Sequence, residues 1–361
     1  MTGATTTERA ELLEMTRDVA RRELLPRAAA LDAGEGAVLA DCWRQLVEIG
    51  LDRALLSEEH EGSELGIPDL LAAIEELAVG DGGVAMCVLL CNAALATLAP
   101  GQLAASFAGA RWALVPVRSG AEVTITHGKL DGRVTSALGA HSADGLVLAI
   151  EGDQPTTIGI VAGTPGLEPE RDEAQMGLRA APAASIVLAG VTAPSAIAAT
   201  GDGARDATAA LALLRAGTAA IARGIARRAY EMAFEYAQAR RQGGAAIIEH
   251  DAVSDMLAAM AVRLRCGPRL ATDSSQIAIG AAQALAAKVA ATDAAVASTT
   301  DAVQIFGGTG YMRETGIEKL MRDAKYCQLF PEPNWVAEDE LMGWERADRN
   351  DGSCRRCGFE R

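Results

Sequence analysis

Between Glu8 and about Pro100, apolar residues recur at intervals of three and four, in ELLEMTRDVARRELL and again in DLLAAIEELAVG, which places an apolar stripe along each of several helices. The intervening SEEHEGSELGIPD is polar and rich in turn formers. Near Arg111 the pattern shifts to short runs, WALVPV, AEVTITH, DGLVLAI, TTIGIVA and ASIVLAGV, cut apart by Gly, Asp and Pro. Runs of that length and spacing predict a compact antiparallel sheet or barrel ending near Pro194. Helical periodicity returns at about Asp206 and continues to Leu341: Leu211 to Arg241, Glu249 to Arg265 and Gln276 to Ile305 read as three helices, with a break at Gly243-Gly244. With a terminal helix over Ile317 to Leu329 they predict a four-helix bundle. The chain is therefore expected to be α+β, with helices over residues 1–110, a β domain over 111–200, a helical bundle over 201–346 and a polar tail over 347–361.

Composition sharpens this outline. Half of the 361 residues are hydrophobic but only 4% are aromatic, so the core is built mainly from Ala, Leu, Val and Ile. A net charge of −15 opposes binding of nucleic acid or an anionic membrane through a basic surface. The N-terminus has no apolar run behind a basic start, and the stretch from Val84 to Ala99 is shorter than the roughly 20 residues that span a bilayer. A cytoplasmic protein without a membrane span is expected. The seven cysteines read as reduced thiols. Cys354 and Cys357 form a lone CxxC in the tail with no second Cys/His pair to complete a metal site, and no metal is assigned.

The most informative stretch is QIFGGTGYMRETGIEKLMRDAKYCQLF, Gln304 to Phe330. Glycines this close let the backbone turn tightly and approach a ligand, and the helix that follows can aim N–H groups at an anion. Its order of residues resembles the QxxGGxGY...E+LMRDA signature of the acyl-CoA dehydrogenase flavoproteins. The resemblance extends to the loop from Ser57 to Gly66 before the EELA helix and to MGLRAAPAASIVLAGVTAP, Met176 to Pro194. It implies that family's fold: an N-terminal helical domain, a middle β domain and a C-terminal four-helix bundle.

It also implies a chemistry, in which a carboxylate removes the α-proton of an acyl thioester while the β-hydride passes to FAD. YAQARRQGG, Tyr236 to Gly244, matches a segment whose arginine and following residues hold the FAD diphosphate, which assigns Arg240, Gln242 and Ile247 to the cofactor; Glu249 and His250 continue the match. Gln304, Gly307 and Gly308 match the second FAD contact, made across a subunit interface. Gly243 stands where the family has a phenylalanine, and Ser136 and Leu138 stand at the Trp and Thr positions that flank the flavin ring. Ala113 to Gly120 is a much shortened counterpart of the family's other flavin loop. Pro331 occupies the usual position of the base and Leu214 the alternative one, so the candidate catalytic residues are Glu332, one place late, and Arg215, which matches the arginine beside the base.

The implied partners are an acyl-CoA or acyl-carrier thioester, an electron-transfer flavoprotein, and either further copies of the chain or another acyl-CoA dehydrogenase-like chain. The pattern of matches supports two readings: an FAD-dependent acyl-CoA dehydrogenase, or a non-catalytic, cofactor-sharing subunit of a heteromeric one. A flavin-free scaffold is the third.

Overall fold

The computed structural model describes residues 6–98, 109–117, 123–150, 156–171, 175–192, 197–198, 203–266 and 280–350. The N-terminal layer runs through α1 (Thr6–Val19), α2 (Ala28–Ala33), α3 (Gly36–Glu48), α4 (Ile67–Gly80) and α5 (Gly82–Thr97). Asp81 separates the last two and caps α5 by accepting from Val84 N at 3.0 Å, which satisfies one of that helix's orphan donors. Almost every residue of α5 is buried, as its uniformly apolar sequence requires.

The middle region holds β1 (Trp112–Val117), β2 (Val123–Thr126), β3 (Lys129–Ala137), β4 (Gly145–Ile150), β5 (Thr156–Val161), β6 (Leu167–Arg171), β7 (Ala184–Thr192) and β8 (Ile197–Ala198). Two four-stranded sheets result, in the orders β1-β4-β5-β8 and β2-β3-β7-β6. The expectation of a wholly antiparallel sheet or barrel needs correcting, because β1 pairs with β4 in parallel from Trp112–Gly145 to Val117–Ile150. Strand direction depends on the route between strands, which alternation of side chains does not encode. Val115, Leu130, Leu148 and Ile186, from both sheets, share a core separate from that of the helices.

The C-terminal layer consists of α6 (Gly203–Ala239), a small hairpin of β9 (Arg241–Gln242) and β10 (Ala245–Ala246), α7 (Asp251–Cys266), α8 (Ala281–Phe306), α9 (Ile317–Cys327) and α10 (Asn334–Asn350). α6 begins eight residues before its expected start, and α10 continues to Asn350, into the segment expected to be a tail. Cys354 and Cys357 lie outside the described residues. α6 is also long and apolar enough to cross a membrane, but 89% of its most apolar window is buried inside the protein. It is the central core helix, packed against α4, α5, α8 and α9. Gly217 and Gly224 allow that packing: a Cβ on Gly217 would sit 2.2 Å from Leu89 Cδ1, and one on Gly224 2.4 Å from the Glu75 carbonyl oxygen.

Candidate functional site

Three clusters carry the residues singled out from the sequence. The first is ionic and buried. Arg215 on α6 and Glu332, in the turn between α9 and α10, are 117 residues apart, yet Arg215 Nε donates to Glu332 Oε1 at 3.0 Å and both side chains are 2% exposed. The other two guanidinium nitrogens are engaged by Glu340 of α10, Nη1 to Oε1 at 3.2 Å and Nη2 to Oε2 at 2.5 Å. Burial lowers the Arg215 pKa, but the two carboxylates outweigh it and raise the value above the ordinary one. Leu214, beside it, is core.

Lys288 of α8 fixes the turn that carries Glu332. Its ammonium donates to the backbone oxygens of Gln328 (3.2 Å) and Glu332 (2.5 Å) and to Asn334 Oδ1 (2.6 Å). Asn334 in turn donates to Thr292 Oγ1 at 3.0 Å and Asp293 Oδ1 at 2.7 Å. Lys288 is fully buried, and burial pushes its ammonium down to about 8. Sequence reasoning missed Lys288, Asn334 and Glu340. Lys288 did leave a signal, as the only lysine of the Ala-rich α8; Glu340, on a charged surface helix, left none.

The second cluster joins the two cofactor motifs at one end of the bundle. After α6 the chain turns back through Gly243 (φ +63°) and Gly244 (φ +90°), and Ile247 N closes the hairpin onto the Arg240 oxygen at 2.8 Å. Arg240 and Gln242 are exposed, whereas Ile247 is buried and packs in the core. Beside them α8 ends at Gly307, whose φ of +60° and ψ of −140° suit only glycine. Gln304, Gly307 and Gly308 are exposed, and a Cβ on either glycine would meet nothing within 4 Å. The rings of Tyr236 and Phe306 stack at 4.2 Å, which ties the hairpin segment to the glycine turn.

An open glycine cradle next to a guanidinium that makes no salt bridge among the described residues fits a dinucleotide diphosphate. The flavin-ring positions do not fit in the same way. Ser136 is exposed with φ +54°, and Leu138 is 3% exposed within the helical core. Neither supplies an aromatic face, and Leu138 supplies no donor. Of the shortened loop, Ala113 to Val117 forms part of β1, while 118–120 lies outside the described residues.

The third cluster shows what the rest of the signature helix does. Lys319 of α9 lies 2.9 Å from Asp81 Oδ2 and 2.6 Å from Asp323 Oδ2. Asp323 Oδ1 accepts from Leu178 N at 2.6 Å, binding α9 to the middle region. Arg322 grips Asp32 with two bonds, at 3.0 and 2.8 Å, and also engages Glu318 and the Met176 oxygen. The charged half of the signature therefore joins the helical layers to one another and to the loop between β6 and β7.

Comparison with known proteins agrees with the fold. Residues 6–102 match the acyl-CoA dehydrogenase N-terminal domain and residues 201–330 the acyl-CoA dehydrogenase C-terminal domain. The cyclohex-1-ene-1-carbonyl-CoA dehydrogenase of Geobacter metallireducens is 30% identical over 366 residues, covering 92% of this chain and 96% of that protein. The protein of the same name from Syntrophus aciditrophicus is 27% identical over 370 residues, 92% of this chain and 88% of its own. Butyryl-CoA dehydrogenase from Megasphaera elsdenii shares the fold, with a TM-score of 0.84 at 24% identity over 96% of this chain and 100% of that one. With the signature, the three-layer architecture and a full-length relative in agreement, the chain belongs to the acyl-CoA dehydrogenase family.

Proposed function

We propose that the chain is an FAD-dependent acyl-CoA dehydrogenase in which Glu332 accepts the α-proton of the thioester. The observation that supports this reading most is the Arg215–Glu332 contact, which unites the two candidate catalytic residues from distant parts of the chain. FAD would supply the acceptor for the β-hydride; the residues of this chain account for the proton. A carboxylate base must be held in place, and the neutral acid it becomes must not strand a buried cation. Glu332 uses only Nε of Arg215, because Glu340 fills the other two positions. When Glu332 takes a proton, Arg215 keeps a carboxylate partner, so protonation leaves no unpaired charge in the core. Lys288 holds the backbone of Glu332 throughout. The diphosphate of FAD would meet Arg240, Gln242 and the Gln304–Gly308 turn, with a second subunit completing the site and an electron-transfer flavoprotein reoxidising the flavin in a cytoplasmic setting.

The test is the absorption near 450 nm of the purified protein, challenged with cyclohex-1-ene-1-carbonyl-CoA and with butyryl-CoA. A yellow protein bleached by either is the expected result. Glu332→Gln should keep the colour and slow bleaching by roughly 10²–10⁴-fold, the usual contribution of a positioned base. Bleaching at the unaltered rate would remove Glu332 from the mechanism.

A second reading is favoured by Ser136 and Leu138 at the ring positions and by the 3% exposure of Glu332. On this reading the chain is a non-catalytic, cofactor-sharing subunit that lends its diphosphate contacts to another acyl-CoA dehydrogenase-like chain. It predicts colourless protein alone and FAD uptake only on co-expression with such a partner; no uptake in either state would leave a flavin-free scaffold.

A further inference from the structure

A cleft of about 350 Å³ lies beside the third cluster, whose Asp32, Glu318 and Lys319 are on its wall, between the Leu25–Ala33 region, the end of α4, the C-terminal part of α6 and the Arg313–Leu320 segment. Its lining includes the apolar Leu25, Ala29, Val79, Met232 and Leu320. It also includes Arg179, Arg228 and Arg313, with Arg228 one helical turn from Met232 on α6. In a protein of net charge −15, anions are repelled at long range, so any anion site must be built from a local group of cations.

The ionic partners around the cleft leave these guanidiniums underused. Of the carboxylates on its wall, Asp32 and Glu318 are both gripped by Arg322, and Glu314 is exposed. The Lys319 ammonium is shared by Asp81 and Asp323. The guanidinium groups of Arg179 and Arg313 make no hydrogen bond or salt bridge among the described residues. Arg228 reaches only 3.8 Å from Glu231, which is already bonded to Arg21 at 3.1 Å, and its Nε is buried with no acceptor among the described residues. The Arg228 side chain is 22% exposed, so a ligand carboxylate would bond to its outer guanidinium nitrogens, in charge-assisted contacts stronger than neutral ones.

The backbone around the cleft is set in the same direction. Gly177 is pressed against the Arg322 carbonyl, where a Cβ would lie 2.3 Å from the oxygen, and the Leu178 N–H is held by Asp323. Arg179 therefore projects from a fixed segment. Gly316, the N-cap of α9, supplies no side-chain cap, and the first helical N–H makes only a 3.4 Å contact to Thr315 Oγ1; Thr315 and Gly316 both line the cleft, so the positive end of this helix lies at it.

We infer that this cleft binds a small carboxylate with a short hydrocarbon body, the carboxylate on Arg179 and Arg228 and the hydrocarbon against Ala29, Val79 and Met232. The site uses none of the residues assigned to FAD or proton transfer, so it stands or falls independently of the proposed activity.

Isothermal titration of the full chain with hexanoate, hexanamide and inorganic phosphate tests it. Hexanoate should bind at least tenfold more tightly than hexanamide, which lacks the charge, and than phosphate, which lacks the apolar body. Arg179→Gln should weaken hexanoate at least fivefold without changing the thermal midpoint of the free protein. Ala29→Trp, at an exposed wall position, keeps every charge and should abolish binding by filling the cleft. Equal binding of hexanoate and hexanamide would overturn the inference, as would phosphate binding as tightly as hexanoate, or unchanged hexanoate affinity in Ala29→Trp.

Discussion

Lys319→Met removes the one cation between two buried carboxylates. The three side chains, Lys319, Asp81 and Asp323, are 8%, 1% and 0% exposed, and the ammonium is within 2.9 Å of both acids. Burial alone would lower the lysine pKa, but the two acids outweigh it and hold the ammonium protonated well above its ordinary range. Removing one partner from a buried ion pair costs about 3–5 kcal/mol, because the desolvated charge left behind has no compensation. At about 2–4 °C per kcal/mol for a folded unit of 150–250 residues, the thermal midpoint should fall by roughly 6–20 °C.

The loss should depend on pH in a defined direction. Burial, and then the charge of Asp81, push the Asp323 carboxyl up, and Lys319 is the main opposing influence. In the variant Asp323 titrates still further above its unfolded value of about 3.9. A carboxyl raised in this way binds more protons folded than unfolded, so its stability contribution is complete below the unfolded pKa and is lost as pH rises through the folded one. The deficit relative to the unaltered protein should therefore be largest near pH 8 and shrink toward pH 5. Lys319→Met/Asp323→Asn removes the repulsion and keeps an oxygen for the Leu178 N–H, and should recover at least half of the loss at pH 8. Thermal melts followed by far-ultraviolet circular dichroism across this range are the assay. A midpoint within 2 °C of the unaltered protein at pH 8, or an equal deficit at pH 5 and pH 8, would refute the reasoning.

Three further outcomes are expected. Lys288, with its ammonium lowered to about 8 against an unfolded value near 10.4, releases its proton on folding, so this group's contribution should rise as pH climbs between those values; Lys288→Met should abolish that rise in melting profiles. Gly217→Ala forces a methyl to 2.2 Å from Leu89 Cδ1 and should cost about 1–3 kcal/mol by overpacking α5 against α6, measured by denaturant midpoint. Gly307→Ala should cost about 1–3 kcal/mol because of its backbone, whereas Gly308→Ala, with no positive φ and open space for the methyl, should stay within about 0.5 kcal/mol. A fall in FAD uptake by Gly308→Ala alone, followed by flavin fluorescence, would report ligand approach rather than stability.

Much of the fold was legible because its signals are local. The three- and four-residue spacing located α6, α8 and α9 to within a few residues at most ends, since glycine or proline stops each pattern. The runs around WALVPV and ASIVLAGV became β1 and β7. The parallel pairing of β1 with β4 was not legible, because a strand's alternation is the same whichever way its neighbour runs. The site divides along the same line. Arg240, Gln242, Gln304, Gly307 and Gly308 announced themselves through closely spaced residues, and the structure sets their segments side by side through Tyr236 and Phe306. The setting of Glu332 did not, since its partners Arg215 and Lys288 come from helices 117 and 44 residues away.

The order of helices and strands, the family, and the glycine turn that ends α8 all follow from neighbouring residues. Helical and strand periods, and the φ values open to glycine, act over a handful of positions and so are written in the chain itself. Which charges meet was decided only when the layers packed. Arg215 was recognisable only as the match to the arginine beside the base, and packing of the α9–α10 turn and α10 against it gave it two carboxylates; Lys319 and Asp323 stood in the signature helix, and only the tertiary structure brought Asp81, between α4 and α5, against them. The energy of such pairs appears on removal from water, and that depends on every face that covers them rather than on any stretch of sequence.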